Sequence, residues 1–170
     1  MLHPLDTRDF DRVFEIMRLS FPTDEYRPYE EQKALLANKD YRIMTYGEDL
    51  PVAFAALWDL DGFTFIEHLA THPDFRNMGL GAKILNELTK SSKNPICLEV
   101  ELPENELCKR RIGFYERCGF HLNHYPYVQP SISEGRSPVP LMIMTSPYAI
   151  TEADFLKLKS NLYRKVYKVK

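Results

Sequence analysis

Ile66-Glu67-His68-Leu69-Ala70-Thr71 runs into His72-Pro73-Asp74-Phe75-Arg76-Asn77-Met78-Gly79-Leu80-Gly81, and Ile84, Leu85 and Leu88 follow at helical spacing. This stretch decides the fold: a strand enters a glycine turn, and the turn opens a helix. The first turn of a helix has unpaired N–H groups and the positive end of a dipole, so the arrangement suits an anion. Glycine lets a phosphate approach the backbone closely, and Arg76 adds a fixed positive fork. The chain has only 7 glycines against 12 prolines, and two of the 7 are Gly79 and Gly81. Two rival phosphate turns fail. A Walker loop needs Gly-Lys-Ser/Thr, but Ala82-Lys83-Ile84 follows Gly81. A dinucleotide fingerprint needs a third glycine where Ile84 stands.

Outward from the turn, periodicity sets the rest. On the N-terminal side, Asp6 to Asp9 caps a helix through Phe21 that Pro22 stops, and Pro28 opens a second helix. Strands are expected at Tyr41 to Tyr46, Val52 to Trp58 and Phe63 to Thr71, with Asp61-Gly62 as a hairpin turn. Downstream come a strand at Ile96 to Leu102, a helix from Glu104 to Cys118 ended by Gly119, and strands at Phe120 to Val128 and Leu141 to Met144. Thr151 caps a final helix with Phe155, Leu158, Leu162 and Val166 on one face. Hairpins and crossover helices in one chain predict a single-domain α/β (α+β) fold: a mixed, mostly antiparallel twisted sheet flanked by helices, with an extra C-terminal helix.

A second segment, Phe114-Tyr115-Glu116-Arg117-Cys118-Gly119-Phe120, lies one strand and one helix beyond the glycine turn. Together the two segments resemble the GNAT superfamily of acyl-CoA N-acyltransferases. Arg76 to Gly81 looks like that family's pyrophosphate loop, and Phe114 to Phe120 is similar to its FYexxGF signature. The resemblance implies a GNAT-like domain over residues 1–150, with residues 151–170 as a basic amphipathic helix packed on or extending it. It also implies acetyl-CoA as cosubstrate and direct acetyl transfer to a primary amine, from a small molecule or a protein. The implied cofactor-binding residues are Arg76, Asn77, Met78, Gly79, Leu80, Gly81 and Ala82 for the pyrophosphate. Leu69, Ala70 and Thr71 would lie beside the pantetheine arm, an N–H near Leu69 polarising the thioester carbonyl. Tyr115 is the implied acid for the leaving thiolate. Two positions depart from the pattern: Asn77 stands where glycine is common, and Cys108 where asparagine often contacts the cofactor arm. Asn105 is the expected substitute for that asparagine.

An ammonium near pKa ~10.4 must lose a proton before it attacks a thioester, so a base is needed. Glu67 is the first choice, since it precedes the cofactor-binding backbone by two residues; Glu99 and Glu101 are the alternatives. His68 and His72, four residues apart in extended chain, are too distant to share a metal and are read as structural. The resemblance implies that the acceptor enters between Phe21 to Tyr29 and Tyr125 to Ser137, where Asp24, Glu25, Tyr26 and Tyr29 could receive a cationic amine. The competing reading is a non-catalytic CoA-binding or partner-binding module of the same fold.

Composition sets the outer limits. With 170 residues, 44% of them hydrophobic, the chain suits one core. The net charge of −2 divides unevenly: residues 1–150 carry 16 basic and 22 acidic groups, and Thr151 to Lys170 carry 6 and 2. An acidic body argues against a nucleic-acid duplex as partner. No run approaches 18 apolar residues and no signal-peptide pattern opens the chain, so a cytoplasmic protein without membrane contact is expected, as monomer or homodimer. Cys97, Cys108 and Cys118 lack zinc spacing and read as free thiols, with no metal.

Overall fold

Capping residues fix where the helices begin. In the computed structural model, which describes residues 1–169, Thr151 accepts from the Asp154 N–H and Asn105 from the Cys108 N–H, each heading a helix. The elements in order are β1 His3–Pro4, α1 Phe10–Ser20, α2 Tyr29–Ala34, β2 Tyr41–Tyr46, β3 Ala53–Leu60 and β4 Phe63–Thr71. Then follow α3 Leu80–Ser91, β5 Ile96–Glu101, α4 Glu106–Arg117, β6 His121–Gln129, β7 Val139–Ser146 and α5 Glu152–Asn161, which a π turn extends over Leu162–Val166. The final strand is longer than the prolines around it suggest. Pro140 fits because β5 pairs with β7 only from Leu141 onward, so no neighbour on that side asks for its missing N–H.

Seven strands form one sheet in the order β1-β2-β3-β4-β5-β7-β6. Every neighbouring pair is antiparallel except β4 and β5, which α3 joins in parallel. One face packs Trp58 and Phe65 against Phe10, Val13 and Ile16 of α1 and against Phe155, Leu158, Leu162 and Val166 of the C-terminal segment. The other packs Leu57, Ile66 and Leu98 against Ile84 and Leu85 of α3 and Ile112 of α4. Each such side chain contributes about 1.5–3 kcal/mol by leaving water. The apolar face expected of the last helix is therefore a core face. Its charges are placed too: Arg164 and Lys165 both pair with Asp61, and Lys165 also approaches Asp40. No helix among the described residues is long and apolar enough to cross a membrane.

Two irregularities open the sheet at its centre. Ala56 pairs with His68 and Leu57 with Ile66, so Glu67 has no partner on β3 and forms a bulge. The bulge sends two successive side chains to one side. Glu67 reaches Trp58, and His68 packs on Phe21 beneath α1, while Ile66 and Leu69 lie against the α3 side. At the same level β4 and β5 part. Their pairing ends at Ile66 with Leu98, although β4 runs on to Thr71 and β5 to Glu101. Beyond that point each strand keeps its outer neighbour and the two edges diverge.

Candidate active site

A cavity of about 610 Å³ fills the gap, within the range of small-ligand sites. Glu67, His68, Leu69, Ala70 and Thr71 line one wall and Leu98 to Glu101 the other. Arg76, Gly81, Phe114 and Tyr115 stand at one end, and Phe21, Pro22, Glu25 and Gln129 at the other. Past Ile66, β4 has no strand on its β5 side, so its backbone there is open to an extended ligand.

The glycine turn is built as an anion cradle. Asn77 and Gly79 both adopt left-handed backbone, at φ 63° and 73°, which turns the chain sharply into α3. Gly79 offers α3 no side-chain cap, and the N–H groups of Gly79, Leu80, Gly81 and Ala82 make no hydrogen bond among the described residues. Gly81 is needed for a different reason: an added Cβ would lie 3.2 Å from Cζ of Phe114, so glycine lets α4 close on α3. Arg76 is held by Thr71 O and Ser20 Oγ, with no carboxylate partner among the described residues. These groups fit a diphosphate. Arg76 and Gly81 line the cavity itself, while Asn77, Met78, Gly79, Leu80 and Ala82 form the turn at its rim.

Tyr115 stacks edge-on with Phe114 and Phe120. Burial pushes its phenol up to about 12, the nearby Arg111 pulling the other way, so it is a proton donor at neutral pH. Its hydroxyl makes no hydrogen bond among the described residues.

The three glutamates have different tasks. Glu67 meets the cavity through its backbone, for its side chain is only 2% exposed. Arg27 Nη1 donates to Oε1 at 2.8 Å and Trp58 Nε1 to Oε2 at 3.0 Å. Burial, the largest single influence, would raise its pKa, but the Arg27 charge, His68 and the hydrogen bonds from Trp58 and Arg27 together hold the carboxyl below its usual value. A carboxylate so engaged is a poor proton acceptor, which argues against the expected role of Glu67 as base. Glu101 is occupied by Arg111 at 3.1 Å and by the Cys108 thiol at 2.8 Å. Glu99 is the exception. Oε1 accepts from Tyr127 at 3.0 Å and from Tyr167, while Oε2 has no hydrogen-bond partner among the described residues. Burial pushes Glu99 up to about 8, with the two phenols working against it.

Other expected residues have structural work. Asn105 is the N-cap of α4 and does not line the cavity, and at position 108 the Cys108 thiol faces Glu101. His68 donates from Nε2 to Glu25 O at 2.7 Å, and burial lowers its pKa, keeping it neutral. His72 caps the short turn after β4. Of the four acceptor-side candidates, Glu25 lines the cavity, with its pKa raised by burial and by Glu101. Asp24 instead ties two loops together, accepting from Ser137 N and, through its carbonyl, from Gln129. Tyr26 and Tyr29 pack against Phe14. Among the described residues no group of three His, Cys, Asp or Glu could hold a metal ion.

Sequence reasoning passed over Arg27, Tyr127 and Tyr167. Each meets its partner across 28 to 68 residues of chain, a separation that leaves no local trace.

Comparison with known proteins agrees with this geometry. Residues 10–120 match the model of the acetyltransferase (GNAT) family. A solved structure assigned to that family, from Bacteroides thetaiotaomicron, is 36% identical and superposes with a TM-score of 0.91, covering 100% of this chain and 99% of its own. The Bacillus subtilis (strain 168) protein YjbC, which carries an acetyltransferase name, is 28% identical over 161 residues, 92% of this chain and 82% of its own. An aminoglycoside 6′-N-acetyltransferase solved with coenzyme A shares the fold at 18% identity and a TM-score of 0.66, covering 89% of this chain and 99% of its own.

Proposed function

The chain belongs to the GNAT family of acetyltransferases, and we propose that it moves an acetyl group from acetyl-CoA directly to a primary amine, with Glu99 as base and Tyr115 as acid. The observation that carries this reading is the parting of β4 from β5, which sets a free carboxylate oxygen and a free phenol in one cavity beside an anion cradle. The Gly79 to Ala82 N–H groups and Arg76 would hold the diphosphate, and β4 from Leu69 to Thr71 would lie along the pantetheine arm. Coenzyme A supplies the acetyl thioester. An N–H near Leu69 meets the carbonyl oxygen as it gains charge.

Glu99 takes a proton from the bound ammonium, directly or through a water. With a pKa of about 8 it is matched to a base working near neutral pH. As the amine nitrogen bonds to the acetyl carbon, the C–S bond breaks and Tyr115 protonates the sulfur. The new amide nitrogen releases its second proton, which restores the Tyr115 phenol, and Glu99 returns its own to solvent. None of the three cysteines lines the cavity, which favours direct transfer over an acyl-cysteine. The acceptor enters past Glu25, whose carboxylate, with Glu99, suits an amine that arrives protonated. Three free thiols fit a reducing cytoplasm.

Thiol release from acetyl-CoA, measured across polyamines, amino sugars, lysine peptides and free peptide N-termini, tests the proposal. Amine-dependent release with at least one class is expected. Tight CoA binding by calorimetry without release from any class would favour the inert binding module.

A further inference from the structure

We propose that the C-terminal segment is a working part of this site, with Tyr167 as the positioning residue that holds Glu99 in place to act as base. The inference rests on the base reading of Glu99 given above.

Tyr167 follows the π turn at Leu162–Val166, and its hydroxyl donates to Glu99 Oε1. Tyr127 of β6 donates to the same oxygen from the sheet. Two donors on one oxygen fix the rotation of the carboxylate and leave Oε2 as its only open acceptor. One residue earlier, Val166 O accepts from Arg27 Nη2 at 3.1 Å, and Arg27 Nη1 holds Glu67. Two consecutive tail residues therefore brace both sides of the opening: Tyr167 on β5, and Val166, through Arg27, on β4.

The brace is itself anchored. Phe155, Leu158, Leu162 and Val166 are buried, Tyr163 donates to Val128 O, and Lys165 reaches Asp61 at 3.1 Å. If the ring of Tyr167 were needed only to fill space, phenylalanine would serve. A buried phenol instead requires a partner, and here the partner is Glu99, a cavity carboxylate with no cation paired to it among the described residues. The groups around Glu99 come from every side: Tyr127 from β6, Tyr163 and Tyr167 from the tail, Glu67 from β4 with Arg27 behind it, Glu25 from the loop after α1, and Cys97 on its own strand. The two acids disfavour ionisation of Glu99, and the two donated phenols favour it.

Carbon-13 NMR of the full chain, labelled at the glutamate side-chain carboxyl, reads the Glu99 titration without an acceptor, with Glu99→Gln to assign the signal. Tyr167→Phe keeps the ring and removes the donor. The Glu99 midpoint should rise by about one pH unit. The acid limb of kcat/KM, with the best amine of the panel above, should rise with it, while KM for acetyl-CoA holds. Tyr167→3-fluorotyrosine, a stronger donor that conserves the fold, should move both the other way. A midpoint unmoved in both variants overturns the proposal whatever the activity. A moved midpoint with an unmoved acid limb overturns the positioning role together with the base reading. Inactive Glu99→Gln beside an unaltered Tyr167→Phe profile overturns the role of the tail alone.

Discussion

Arg27 and Glu67 form an ion pair at 2.8 Å with side chains only 6% and 2% exposed. Removing one partner of such a pair strands the other charge, at a cost of about 3–5 kcal/mol. Glu67→Gln should therefore lower the melting temperature by roughly 10 °C for a chain of this size. Turnover per folded molecule, measured below the new transition, should stay within about threefold of wild type, since the proton goes elsewhere. A large fall in turnover with an unchanged melt would return the base role to Glu67.

Glu99 gives two pH signatures. As base with a pKa of about 8, it makes kcat/KM climb as pH rises through that value. Glu99→Gln should lower kcat at least about 100-fold at pH 8 and flatten the climb. Stability runs the other way. Folding raises the pKa of this carboxyl, so the folded state holds a proton that the unfolded chain has released. Its contribution is full below the ordinary glutamate value and is lost as pH rises through about 8. Glu99→Gln should thus melt higher than wild type at pH 9, with the gap narrowing by pH 5. A gap that stays the same across that range would show that folding does not raise the Glu99 pKa.

Tyr115→Phe removes a hydroxyl that makes no hydrogen bond among the described residues. The expected result is a fall in kcat of about 100-fold with the melting temperature and the CoA dissociation constant nearly unchanged. Single-turnover kinetics beside calorimetry separates the two. Wild-type turnover in the variant would take Tyr115 out of the chemistry.

Gly81→Ala tests the packing of α3 on α4. Alanine favours a helix over glycine by up to about 1 kcal/mol, yet its Cβ would press on Phe114 at 3.2 Å. Phe114 and Gly81 both line the cofactor end, so the displacement falls on the binding site. CoA affinity should drop about tenfold while the melt moves by only a few degrees. Unaltered affinity would show that Phe114 yields freely.

What could be read in advance was local. The glycine turn, Tyr115 on its helix and the apolar face of the last helix each rest on residues within a few positions of one another. Choosing among Glu67, Glu99 and Glu101 was a different problem. Period two tells which side of a strand a residue takes, but not whether an arginine 40 positions earlier already holds it. Asn105 shows the converse. Its position just before Glu106 and a helical run is the local signal of a cap, and the cap is what the side chain forms. The bulge left no trace either, because Phe65-Ile66-Glu67-His68 does not alternate cleanly enough to show an extra residue.

That extra residue makes chain length a functional variable. Take Glu67 out, and Phe65 and His68 would still turn toward α1, Ile66 and Leu69 toward α3, with His68 next to Ile66 against an even β3. The apolar pattern would be satisfied, and β4 would have no local kink to carry it away from β5. Deleting Glu67 would remove the bulge that stands at the level where β4 and β5 part. Between Ile66 and Leu69 the number of residues therefore matters as much as their identity.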